Sequence, residues 1–128
     1  VAEDMQMGMT LGLAMDGNVP ISIFPRWNFL LYGVSQLVNH LDKFKVMSGN
    51  KLKPKMIIRT GVGSKRPLHP QFQHIGDFSD AIQKMCTTIE VVKLKEPRDI
   101  YRSYKKAYER KDGKNTILVE YGDFYNEK

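Results

Sequence analysis

The chain holds one cysteine, Cys86, and one tryptophan in 128 residues. A single cysteine excludes an internal disulfide and any cysteine-rich zinc site, and it fits a reducing compartment. No apolar run approaches the ~20 residues that a membrane span needs. No basic-then-apolar leader is visible. The expectation is a cytoplasmic protein, or a mitochondrial-matrix one in a eukaryote, with no membrane partner. Internal repeats and low-complexity linkers are lacking. So are a Gly-Lys-Ser/Thr phosphate loop, a Gly-x-Gly-x-x-Gly turn and a Gly-x-Ser-x-Gly elbow. His69 and His74 stand five apart, but no further ligand has diagnostic spacing, so no metal site is expected in this chain. The sequence begins at Val1 without an initiator Met, already inside a patterned segment, which reads as a fragment or a processed chain.

What is present is ordinary globular composition, 41% hydrophobic and 27% charged, in a length that suits one domain with its own core. The net charge is +6. The basic residues are scattered and no stripe interleaves them with aromatics, so they read as a solvated surface and not as a nucleic-acid face.

Hydrophobic patterning gives the order of elements. Met5 to Met15 is apolar or small and ends at Asp16-Gly17-Asn18, which predicts a short buried helix. "PISIF" predicts a strand ended by Pro25. From Trp27 to Met47 the apolar positions recur at helical spacing, which predicts one helix ended by "SGN". "KMIIRTG" predicts a second strand. Residues 61–76 carry three glycines and two prolines and read as a long loop of the kind that bears function. A short helix over 77–85, a strand "TIEVVKL", a helix with Pro97 at its first position, and a strand "TILVEYG" complete the chain. Alternation of this kind implies an α/β fold, three-layer helix-sheet-helix, with a mainly parallel sheet. Ligands of such sheets bind beyond the carboxyl ends of the strands.

Glu3 stands out at the head of the uncharged run. By pattern alone it is a helix-start acid favoured by the helix dipole. Gly8 and Gly12, four apart, read as close packing of that helix.

"AEDMQMGMTLGLAMDGNVPI" resembles the segment E-x4-G-x3-G-x-A-x2-G-x2-P-[IV] of the pyrimidine-binding domain of thiamine diphosphate enzymes (transketolase-like), closest to the beta subunit of 2-oxo acid dehydrogenase E1 components. The similarity continues through "WNFLLYGVSQLVNH", "VMSGN", "KPKMIIRTGVG", "LHPQ", "IEVVKLKEPRDIYRSYKKA" and "TILVEY", in the family's order. It covers essentially the whole chain, residues 1–128, as a single and partial domain that lacks the family's first strand and helix.

The resemblance implies that Glu3 hydrogen-bonds N1′ of the cofactor's aminopyrimidine. It implies that Phe29 stacks on the pyrimidine with Trp27 lining the same pocket, and that His69 faces the substrate. Gly8 and Gly12 would let helices of two subunits approach. The diphosphate and its Mg²⁺ would be held by a partner, an E1 alpha-like chain or domain, because this chain has no Gly-Asp-Gly and Asn motif. The implied activity is decarboxylation of a 2-oxo acid by a homo- or hetero-oligomer, with the isolated chain inactive. Three positions depart from the family: Ser35 replaces an aspartate, Leu94 a proline and Pro70 a serine. The alternatives are a diverged, non-catalytic domain serving assembly or regulation and, less favoured, a basic nucleic-acid-binding module.

Overall fold

The computed structural model describes residues 2–125. The chain folds as α1 (Glu3–Met15), β1 (Ile21–Ile23), α2 (Trp27–Leu30), α3 (Phe44–Met47), β2 (Ile57–Val62), α4 (Ser79–Met85), β3 (Ile89–Leu94), α5 (Pro97–Glu109) and β4 (Asn115–Tyr121). The four strands form one sheet in the order β1-β2-β4-β3, and every pairing is parallel. This is the α/β alternation that the patterning implies.

Strand alternation divides the core. Ile58, Ile117 and Val119 point to one face, where they pack with Met7 and Leu11 of α1, Trp27 and Leu30 of α2, and Ile82 of α4. Ile57, Leu94 and Leu118 point to the other, where they meet Ala107 and Tyr104 of α5. The chain moves one way across the sheet from β1 to β2 to β3, and then turns back to β4. Right-handed crossovers put the helices of the forward moves on one face and the helix of the return, α5, on the other. Each fully buried large side chain is worth about 1.5–3 kcal/mol.

The single helix expected over Trp27 to Met47 is instead broken. α2 passes into a 3-10 turn at Leu31–Gly33, then a π-helical turn at Gln36–Leu41, before α3. Two contacts account for the break. A Cβ at Gly33 would lie 3.4 Å from the Glu3 carbonyl oxygen and 3.4 Å from Met7 Cβ, so the chain tightens where it passes α1. The π turn, with the Asp42 N–H donating to Leu37 O at 3.0 Å, then carries Asp42 inward.

Asp42 is fully buried at the amino ends of the strands. Its carboxylate accepts from the Thr87 N–H at 2.8 Å, the Thr88 N–H at 2.6 Å, the Thr88 hydroxyl at 3.0 Å and the Lys43 ammonium at 2.7 Å. It thereby fixes the turn that feeds β3. Burial would raise its pKa, but Lys43 and the threonine donors outweigh that and hold it below the usual carboxylate range. Cys86 is buried beside this turn, and burial pushes its thiol up to about 11, which leaves it inert at neutral pH.

Candidate active site

α1 runs antiparallel to β1. Gln6 Nε2 donates to Ile23 O at 3.0 Å, and the Thr10 hydroxyl to Ser22 Oγ at 3.2 Å. Glu3 therefore stands at the carboxyl end of β1, at the first turn of α1, and is half-buried. It lines an open trough with Met5, Met9 and Leu13, whose side chains are more than half exposed. A carboxylate shares a proton strongly only where water is excluded. That trough becomes dry only when a second surface covers it.

Beyond β1 the chain turns through Arg26, Trp27, Asn28 and Phe29. Phe29 is half-buried and stacks on the ring of His74, with centroids 5.9 Å apart and 23° between planes. Trp27 lies inside the core at 1% exposure, edge-on to Phe78, and its ring N–H has no partner among the described residues. His69 is exposed, and its described contacts are to its own loop. Its Nδ1 accepts from the Gln71 N–H at 3.1 Å, and its ring meets the edge of Phe72. A Cβ added at Gly8 would stand 3.8 Å from the Gln36 side chain, and one on Gly12 would meet nothing within 4 Å.

The histidine that the fold brings to Phe29 is thus His74, and not His69. It is held three ways. Its Nδ1 lies 3.0 Å from Asn28 Oδ1, its ring stacks on Phe29, and its carbonyl accepts from the Gly63 N–H at 2.9 Å. A Cβ at Gly63 would stand 2.5 Å from that carbonyl oxygen and 3.2 Å from Arg26 Nε, so only glycine permits the approach. The one signal in the sequence is that two histidines share a glycine-rich loop. Nothing local says which of them turns inward.

Two further groups close this end of the sheet. Asp77 accepts from the Ser79 N–H at 3.0 Å and from the Ser79 hydroxyl, and Tyr121 OH donates to its other oxygen at 2.9 Å. Burial pushes the Tyr121 phenol up, and the Asp77 carboxylate adds to that. Arg59 and Glu120 pair in a fork, Nε to Oε1 at 2.8 Å and Nη2 to Oε2 at 2.6 Å, and Tyr125 OH donates to Oε2 at 2.8 Å. Among the described residues, no group of three or more His, Cys, Asp or Glu is placed to hold a metal ion. No described helix is long and apolar enough to cross a membrane. No protein-family model matches the chain, and no curated protein matches it significantly.

Proposed function

We propose that this chain is the pyrimidine-binding part of a thiamine diphosphate-dependent enzyme, most like the beta chain of a 2-oxo acid dehydrogenase. One observation carries the reading. Glu3 and Phe29, two of the three residues that the resemblance directs at the pyrimidine pocket, both stand at the carboxyl end of β1, although 26 positions separate them in sequence; the third, Trp27, is buried in the core and lines no open pocket among the described residues. A carboxylate and an aromatic face are the donor set an aminopyrimidine requires. Bound thiamine diphosphate supplies an electron sink next to a 2-oxo carbon. Glu3 holds a proton at N1′ of the aminopyrimidine, and Phe29, backed by His74, fixes the ring plane. The partner chain contributes the diphosphate and Mg²⁺ site, and it covers the trough beside Glu3, excluding water from the carboxylate.

The test is Glu3→Gln in the complex reconstituted with its partner, read as exchange of the cofactor's C2 proton for deuterium. General acid–base groups are worth about 10² to 10⁴ in rate, and the exchange should slow within that range. Exchange as fast as in the unsubstituted complex would reduce Glu3 to a helix-start acid. A second reading is favoured by the apolar side chains exposed along one edge, Met5, Met9, Leu13, Ile21 and Ile23, all at least half open to solvent. A surface of this kind suits an assembly module whether or not it is catalytic. Unchanged exchange together with intact assembly would select it.

A further inference from the structure

We propose that the cleft between the carboxyl ends of β1, β2 and β4 binds the carboxylate of a small organic acid, with Arg26 as its anchor. The cleft has a volume of about 210 Å³ and is walled by Ile23, Pro25, Arg26, Arg59, Glu120 and Tyr125. Its charges do not cancel. Arg59 and Glu120 neutralise each other through their fork, and both Glu120 oxygens are occupied, one of them twice. Arg26 spends one N–H on the Pro25 carbonyl at 2.7 Å and forms no ion pair with a carboxylate among the described residues. A guanidinium has five N–H donors and takes a carboxylate through two of them. The cleft therefore offers one surplus positive charge and unused paired donors beside Ile23 and Pro25.

Size and charge define the ligand. The cleft is small and open to solvent, which suits a short-chain acid. With Arg59 and Glu120 neutral as a pair, the single surplus charge on Arg26 matches a monoanionic carboxylate better than a dianion. The location is apt, because Arg26 opens the turn that carries Phe29 and its Nε sits against Gly63, beside the His74 carbonyl. The 2-oxo acid reading enters only in the choice of acid; the cleft itself stands on its own geometry.

Calorimetric titration of the full chain with pyruvate tests this. Saturable one-to-one binding is expected, weakened roughly tenfold or more by Arg26→Gln, since a charged hydrogen-bonding group is lost. Arg26→Lys keeps the charge without the fork and should weaken binding by a smaller factor. Inorganic phosphate should compete poorly. The proposal is overturned if pyruvate does not saturate at tens of millimolar. It is equally overturned if Arg26→Gln binds as the natural chain does, or if chloride displaces pyruvate at equal concentration, which would mean an adventitious ion only. Should Arg26→Gln fail to fold, unchanged binding by Arg26→Lys overturns it instead. Because the titration uses the chain alone, its failure is separate from that of the Glu3 test. Pyruvate binding with unaltered proton exchange would leave an acid site on a chain whose Glu3 does not activate the cofactor.

Discussion

The two ends of the sheet are built on opposite terms. At the amino end, Asp42 is a fully buried carboxylate whose five donors come from Lys43, Thr87 and Thr88, and Arg110 is likewise enclosed by Asp112 and Glu90. At the carboxyl end, bonding capacity is left over. Among the described residues, the Trp27 N–H and the Thr60 hydroxyl are buried without partners, and Arg26 has no acid. A buried polar group that is saturated holds structure and does little else. One that is unsaturated costs stability and stays ready for a ligand. The unsaturated groups lie at the same end of the sheet as the proposed site.

The largest effect should come from the saturated end. Asp42→Ala leaves the Thr87 and Thr88 amides without their acceptor and should cost about 3 kcal/mol in urea denaturation. A loss below ~1 kcal/mol would mean that the turn holds itself. The same carboxylate gives a pH dependence. Its folded pKa lies below its usual value of 3.8, so its contribution is complete above that value and is lost as pH falls through the lower folded one. Asp42→Ala should therefore flatten the acid limb of the stability profile.

An intermediate effect tests α1, which is apolar on both flanks. Glycine inside a helix costs about 1 kcal/mol relative to alanine, and nothing stands within 4 Å of a Cβ at Gly12. Gly12→Ala should raise the unfolding free energy of the isolated chain by about that amount. If a second subunit packs on this face, Gly8→Leu should lower the oligomer measured by sedimentation at fixed concentration, through overpacking. An intact fold with an unchanged oligomer would remove the assembly role from Gly8.

The smallest effect belongs to the unsaturated end. Thr60→Val removes a buried, unpartnered hydroxyl at nearly constant shape and should be neutral or stabilising by up to ~1 kcal/mol. A loss greater than that would show that the hydroxyl is satisfied in solution, and it would weaken the contrast between the two ends.

By itself, the sequence determined the four strands and the helices α1, α4 and α5, in their order. The strands are β-branched runs, β1 and β4 bounded by Pro25 and Gly122, and α5 is announced by Pro97 and the helical spacing of Ile100, Tyr104 and Tyr108, although Tyr108 is exposed and Ala107 makes the buried contact. Alternation of strands and helices then implied the parallel sheet. Glu3, as the head of α1, was legible from its place with Asp4 before an uncharged run. Contacts between distant residues were not legible, because no local signal encodes them. Asp42 meets Thr87 and Thr88 some 45 positions away, and the helix breaks at Gly33 only because α1 crosses there. The choice of His74 over His69 beside Phe29 depends on Gly63 admitting a carbonyl that any side chain would exclude. The spare charge on Arg26 is decided in the same way. Arg59 and Arg26 read alike in sequence, and only the register of β2 against β4 gives Glu120 to one and leaves the other without an acid among the described residues.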